Sequence, residues 1–189
     1  MARASDRRFP FPRGIDRRTF LGGAALALLA PGRVLAEERV TTSPKIISAA
    51  AEVIEKSPYA YISPLKKDGT ESTCHGEVWF AWIDGAVVVN SRRGTWKVKA
   101  LEKGLDRARI WVGDHGRWKA SIGGGRNEAF RQAPTFEAKA RCETDRAVLD
   151  RLVATFEKKY AGDFEQWRED MQTGFFSGHR KLIRYEPVG

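Results

Sequence analysis

The sequence contains little cysteine and little histidine, which limits the sites that it can build. Its 189 residues include only Cys74 and Cys142, too few for a disulfide framework or a cysteine metal cluster. Three histidines are present, and no two of them have the spacing of metal ligands. We therefore predict no metal site. One possibility is a single disulfide bond between Cys74 and Cys142. The favoured interpretation is that both are unpaired cysteines on strands.

The sequence also lacks a glycine-rich phosphate loop and a basic stripe interleaved with aromatic residues. Because neither nucleotide-binding glycine motif is present, the dinucleotide-binding and P-loop classes are excluded. Seven arginines and two aspartates lie within residues 1–36, so this segment carries five of the nine net positive charges. The weakly basic remainder predicts no nucleic-acid partner.

No apolar run is long enough to cross a membrane. Arg17-Arg18 precede a stretch of about ten apolar residues that begins at Leu21, whereas a span needs about 20. A twin-arginine pair, a modest apolar segment and the small residue Ala36 are typical of a Tat export signal. We predict that residues 1–36 are a Tat signal peptide and that residues 37–189 form one domain. The Tat machinery is then a partner, the location is periplasmic or otherwise exported, and no stable membrane insertion follows cleavage.

The first half of the domain is predicted to contain a helix and two hairpins. Turn signals and apolar spacing predict these elements: a helix from Ser43-Pro44 to before Ser57-Pro58, a strand Tyr59 to Leu65, a turn at Lys67 to Thr70, a long strand Thr70 to Ile83 bulged at Gly76, a hairpin turn at Asp84-Gly85, and a strand Ala86 to Asn90. Apolar residues do not alternate with polar ones from Val78 to Ile83. Both faces of that strand should therefore be covered, one by a barrel core and the other by a helix or a second subunit.

The second half is predicted to alternate short strands with helices. Its elements are a helix Trp96 to Lys103, a strand Arg109 to Val112, a turn leading into Trp118 to Ile122, a glycine loop Gly123 to Gly125, a strand Phe136 to Glu143, a helix capped by Thr144, a helix Phe164 to Met171, and a strand Lys181 to Tyr185. Because no βαβ alternation occurs, we predict an α+β fold, mainly β. It is a small antiparallel barrel of six or seven strands with peripheral helices.

One stretch gathers groups that bind anions. Asn90 to Lys97 places hydroxyls, cations and free main-chain N–H groups between a buried strand and a helix start. The stretch can hold a phosphate, or it can be a solvated loop before a helix that Thr95 caps.

The order of these elements resembles the pyridoxamine 5′-phosphate oxidase-like, FMN-binding split-barrel superfamily. The matching segments are the hairpin Tyr59 to Thr70, the hairpin Trp82-Ile83-Asp84-Gly85, the helix start Thr95-Trp96-Lys97 and the helix end Glu157 to Tyr160. The resemblance spans roughly residues 44 to 186. It implies a split β-barrel that forms a homodimer and binds FMN, the deazaflavin F420 or haem at the subunit interface.

Carried onto this sequence, the resemblance assigns a cofactor site but no catalytic side chain. Ser91, Arg92, Thr95 and Lys97 would hold a phosphate. The stretch Glu77-Val78-Trp79-Phe80 would run beside the flavin ring, and Val78 and Trp79 are its candidate site residues. Trp96 departs from the family pattern, and the region from Gly123 to Ala133 matches nothing in it.

These observations predict an exported flavin-dependent oxidoreductase, using FMN or F420, that acts on an unidentified small-molecule substrate. A haem-binding or haem-degrading protein is the alternative within the fold, with His179 as the candidate ligand. A non-catalytic ligand-binding module is the alternative from another class. It is favoured if Arg92 and Lys97 lie away from any cleft. His75 is the candidate for a proton donor to the substrate.

Overall fold

A computed structural model describes residues 51–118 and 126–188 of the chain. The elements in chain order are α1 (Ala51–Lys56), β1 (Tyr59–Pro64), β2 (Gly76–Val78), β3 (Ala81–Ile83), β4 (Ala86–Arg92), α2 (Trp96–Glu102), β5 (Arg107–Gly113), a 3-10 helix (Ala129–Gln132), β6 (Thr135–Glu143), α3 (Arg146–Lys159), α4 (Glu165–Phe176) and β7 (Arg180–Pro187). The predicted signal peptide, the start of the first helix and the glycine loop lie outside the described residues. In the described part, no helix has the length and apolar character of a membrane span.

The seven strands form one antiparallel sheet in the order β2-β1-β5-β6-β7-β4-β3. The sheet curls around one cluster of apolar side chains, to which Ile62, Val89 and Ile110 belong. Helices α3 and α4 pack on the outer face of β3, β4 and β7. The predicted fold class, an antiparallel split barrel with peripheral helices, is confirmed.

The prediction of one long strand from Thr70 to Ile83 was wrong. The chain leaves the ladder at Trp79 and Phe80, between two short strands. On one side of this break, Val78 pairs with Ala60 of β1, and on the other, Ala81 pairs with Val88 of β4. Two residues thus carry the chain from one edge of the sheet to the other. No glycine or proline marks the break, so the apolar run gave no sign of it.

The expected covering of this segment on both faces is confirmed. Phe80 belongs to the cluster inside the barrel, and Val78 and Trp82 pack against that cluster. Ala81 and Ile83 belong to a second cluster, which α3 covers. One face therefore meets the barrel core and the other meets a helix.

The Asp84-Gly85 hairpin turn is confirmed. Both residues have positive φ, 49° and 73°, as a two-residue type I′ turn requires. The Asp84 carboxylate accepts two hydrogen bonds from Arg151 of α3, at 2.8 and 2.7 Å. The turn is therefore tied to the helix that covers it.

Two smaller predictions about the helices need correction. Asp145, rather than Thr144, caps α3, since its Oδ1 accepts a hydrogen bond from the N–H of Ala147 at 2.8 Å. Helix α4 continues beyond Met171 to Phe176. The favoured interpretation of two unpaired cysteines is confirmed, because Cys74 and Cys142 are both free thiols. Cys142 lies in β6 as expected, whereas Cys74 lies before β2 and not in a strand.

Candidate functional site

An open cleft of about 440 Å³ lies where the sheet breaks. Its apolar walls come from β2, the crossing segment, α3 and α4, through Val78, Trp79, Phe156, Trp167 and Met171. A cleft of this size, with apolar walls and a few polar groups, is typical of a small-molecule site. The cleft is thus the candidate binding site of the described part of the chain.

Trp79 forms an aromatic wall of the cleft that packing holds in place. Its ring stacks on Tyr160, with centroids 4.6 Å apart and planes 11° from parallel. The edge of Phe156 supports it from another side, at 6.2 Å. Because Trp79 is only half-buried, a ring surface remains for a planar ligand. The predicted site residues Val78 and Trp79 therefore do line one cleft.

The polar lining of the cleft carries both signs of charge. The side chains are Glu77, Asn90, Arg117, Asp163 and Gln166. Glu77 is already engaged, because its Oε2 accepts a hydrogen bond from the main-chain N–H of Trp118 at 3.2 Å. Two carboxylates and one guanidinium leave the lining slightly negative.

Asn90 is held by a buried arginine behind the cleft wall. Arg180, only 6% exposed, donates from Nη1 to Asn90 Oδ1 at 3.0 Å. Its Nη2 and Nε atoms bind Asp170 of α4, at 2.5 and 3.2 Å. Gly174 gives this arginine room, since a Cβ there would lie 2.9 Å from the Arg180 side chain. Asn90 is therefore in a fixed position.

Ser91 and Arg92 lie on opposite faces of β4. Ser91 is 4% exposed and follows Val89 on the barrel side of the strand. Arg92 is 64% exposed and pairs with Asp170 at 3.2 Å. Arg92 thus belongs to the Arg180–Asp170 network, and it does not line the cleft.

Thr95 and Lys97 lie at the start of α2. Thr95 is the N-cap residue, but its hydroxyl does not cap the helix. That buried hydroxyl has no hydrogen-bond partner among the described residues. The Lys97 ammonium lies 4.5 Å from the centre of the Trp96 ring. Burial lowers the pKa of Lys97 to about 8, and Glu77 offsets part of this effect.

Trp96 packs closely against the start of β2. A Cβ on Gly76, at the start of β2, would lie 3.2 Å from the Trp96 ring. The indole therefore lies directly against the strand. It also packs against the barrel core. Gly76 makes room for this ring and does not form a bulge.

The histidines singled out by the sequence lie outside the cleft. His75 packs edge-on against Trp118 and also contacts Phe130, on the outer face of β1 and β5. Burial lowers the pKa of His75. His179 is exposed at the turn before β7, and its carbonyl accepts the N–H of Arg93 at 2.8 Å. Within residues 51–118 and 126–188, no group of three potential metal ligands comes together.

The α4 wall of the cleft and the roles of Asn90 and Arg180 were not predicted from the sequence. The helix that contains Gln166, Trp167 and Met171 has an ordinary amphipathic pattern, and such a pattern does not indicate a ligand. Asn90 was the first residue of the predicted phosphate stretch but was given no role of its own, and its position at the end of a buried strand was the available signal. Arg180 is 90 residues from Asn90, so their contact depends on the β4–β7 pairing.

No protein-family model matches the chain, and no curated protein matches it. Among solved structures, a conserved hypothetical protein from Mycobacterium tuberculosis has 16% identity, with 75% of this chain and 80% of that chain covered and a TM-score of 0.52. HutZ, the heme storage protein from Vibrio cholerae, has 12% identity, coverage of 75% and 89%, and a TM-score of 0.48. A FAD-binding protein from Mesorhizobium loti has 14% identity, coverage of 75% and 89%, and a TM-score of 0.46.

The similarity to the mycobacterial protein concerns the fold alone. Together with the strand order, it supports a split-barrel fold for this chain. The chemistry of the site has to be argued from the cleft itself.

Proposed function

We propose that this protein is an exported flavin-dependent oxidoreductase that binds FMN, or the deazaflavin F420, and acts on a small-molecule substrate. The observation that carries the proposal is the cleft walled by Val78 and Trp79, whose lining includes Asn90, the first residue of the segment from Asn90 to Lys97. When bound, the flavin would supply hydride or electron transfer, and the protein would bind and orient it.

The half-buried ring of Trp79 suits the flat ring system of a flavin. Its stack on Tyr160 keeps the indole plane fixed, so little side-chain freedom is lost when a second ring packs on it. A cleft of about 440 Å³ lies within the usual range of about 300–1,000 Å³ for such sites.

Thr95 and Lys97 have the chemistry of a phosphate anchor. The Thr95 hydroxyl is buried without a partner among the described residues, which costs free energy unless a ligand accepts its hydrogen bond. Burial weakens the hydration of the Lys97 ammonium, and a phosphate would compensate for that loss. Ser91 remains a candidate at the end of β4. Arg92 would have to leave Asp170 in order to take part.

The proposal includes export and dimer formation. Export rests on the twin-arginine pattern of residues 1–36, and periplasmic location follows from it. A homodimer rests on the resemblance to the superfamily, whose members bind their cofactor between two subunits.

The test is to purify the protein, record its visible spectrum, and determine the mass of any small molecule that is retained. Apoprotein is then titrated with FMN, F420 and haem. We expect a flavin spectrum or flavin uptake, and we expect Lys97→Ala to weaken FMN binding by about tenfold or more. Lys103→Ala, an exposed lysine after α2, is the matched control and should bind FMN normally. No uptake of either flavin refutes the proposal.

The second candidate is a non-catalytic ligand-binding module with the same cleft. It is favoured by one observation: Arg92 pairs with Asp170, and neither Arg92 nor Lys97 lines the cleft. This function predicts that small ring compounds bind while FMN and F420 do not. A haem function has no comparable support, because the candidate ligand His179 is exposed and lies outside the cleft.

A further inference from the structure

The amide of Asn90 can have only one orientation in this structure. A guanidinium donates hydrogen bonds and cannot accept them, so the atom that faces Arg180 Nη1 at 3.0 Å must be the amide oxygen. Flipping the amide would bring two donors together next to a buried charge. The Asn90 Nδ2 group therefore points away from Arg180.

The Nδ2 group has more hydrogen-bonding capacity than the protein uses. It carries two N–H bonds, and its one acceptor among the residues that the structure describes is the carbonyl of Met171, at a long 3.5 Å. Asn90 and Met171 both line the cleft. At least one N–H donor is thus available to whatever occupies the cleft.

We propose that Asn90 selects the ligand of this cleft by donating a hydrogen bond from Nδ2 to a carbonyl oxygen on an uncharged planar ring. Arg180 is the positioning residue, because it fixes which amide atom is presented. This inference about Asn90 rests on the proposed flavin function in one respect only, because both place a ligand in the same cleft.

The charge of the lining explains why the acceptor is a neutral carbonyl. Glu77 and Asp163 contribute two negative charges, against one positive charge on Arg117. The Arg180 charge behind Asn90 is paired with Asp170, so this lining favours a neutral carbonyl oxygen over a carboxylate or phosphate as the acceptor. Trp79 and Trp167 supply the apolar surface on which the ring of such a ligand packs.

The experiment compares fluorenone with fluorene. Both are flat tricyclic compounds that do not react with thiols, and only fluorenone carries a carbonyl oxygen. Equilibrium dialysis against the full apoprotein gives both dissociation constants, and their ratio measures the preference for the carbonyl. We expect the preference to fall about fivefold in Asn90→Asp, which replaces the donor by an acceptor. Asn90→Ala removes the donor without adding charge, and it should lower the preference as well.

Gln132→Glu is the matched control, because it makes the same amide-to-acid change at an exposed position outside the cleft lining. The preference should stay within about twofold of the wild-type value in this variant. The proposal is overturned if the wild-type protein binds neither compound, if Asn90→Asp keeps the wild-type preference, or if Gln132→Glu loses the preference equally.

The failure of this inference differs from the failure of the flavin proposal. Neither compound has a phosphate tail, so Lys97→Ala should leave the carbonyl preference unchanged. A carbonyl preference that depends on Asn90, in a protein that takes up no flavin, refutes the flavin function and supports this inference. Flavin uptake without any carbonyl preference supports the flavin function and refutes this inference.

Discussion

The hydroxyl of Tyr160 binds the main chain of Phe80 at the point where the sheet splits. It accepts the N–H of Phe80 at 3.1 Å and donates to the carbonyl of Pro58 at 2.8 Å. Phe80 is fully buried and lies between β2 and β3, where no neighbouring strand pairs with it. One side chain at the end of α3 thus replaces the missing strand, and the ring of the same tyrosine supports Trp79 in the cleft.

Tyr160→Phe should destabilise the protein by about 1–3 kcal/mol, because it leaves the buried N–H of Phe80 without a partner. The ring stack with Trp79 is kept, so the loss reports on the hydroxyl alone. Urea denaturation followed by far-UV circular dichroism measures the change. Tyr59→Phe is the control, since no hydrogen bond of that hydroxyl is found in the described part of the chain; equal losses in both variants would contradict the role of Tyr160.

The hairpin turn at Asp84-Gly85 could be predicted from the sequence, whereas the strand break that Tyr160 stabilises could not. The hairpin turn depends on positive φ angles at two adjacent residues, and the Asp-Gly pair is a local sequence signal for such a turn. The break at Phe80 depends on a hydroxyl 80 residues away, and the local sequence around Trp79 reads as a continuous strand. Strands, helices and the apolar cleft wall were accessible to local rules. The cleft's α4 wall and the Arg180–Asn90 contact depend on tertiary pairing.

Gly174→Ala should destabilise the protein by about 1–3 kcal/mol, although alanine is the better helix former by about 1 kcal/mol. The new Cβ would lie 2.9 Å from Cγ and Cδ of Arg180, a buried side chain with little freedom to move. Thermal and urea unfolding measure the change. Gly94→Ala is the control, because no atom lies within 4 Å of a Cβ placed there. A stabilised Gly174→Ala variant would show that Arg180 is not fixed.

His75→Phe should make the protein more stable, and most clearly so at acidic pH. The Nδ1 atom of His75 is buried without a partner among the described residues, and its ring already packs against Trp118 and Phe130. Burial, followed by the charge of Arg131, lowers the pKa of His75 in the folded protein. The unfolded chain therefore binds the proton more readily, and folding stability falls as the pH drops through about 6.5, the ordinary value for histidine.

The gain expected from His75→Phe is about 1 kcal/mol at pH 7, from removing an unpaired polar atom. It should grow between pH 7 and pH 5, because the variant has no imidazole to protonate at this position. Urea unfolding at a series of pH values gives both numbers. His179→Phe, at an exposed position, is the control, and a gain that does not change with pH would be evidence against the buried histidine as its cause.

Binding of FMN should weaken as the pH rises through about 8, because Lys97 must carry its proton to hold a phosphate. Burial lowers the pKa of this lysine to about 8 in the free protein, and a bound phosphate dianion would raise it again. Between these two pKa values, binding takes up a proton, so the affinity should fall by up to about tenfold per pH unit. Below pH 8 the affinity should be nearly constant down to the second pKa of the phosphate, about 6.

Riboflavin and the Lys97→Met variant separate this effect from general alkaline damage to the protein. Riboflavin has the same ring system without the phosphate, so its affinity should not change between pH 7 and pH 9. Lys97→Met keeps much of the apolar side chain but has no ammonium, and it should bind FMN weakly with no such decline above pH 8. Fluorescence titrations at each pH provide the dissociation constants. If FMN and riboflavin respond alike to pH, Lys97 does not contact the phosphate, and Thr95 and Ser91 would have to hold it without a lysine.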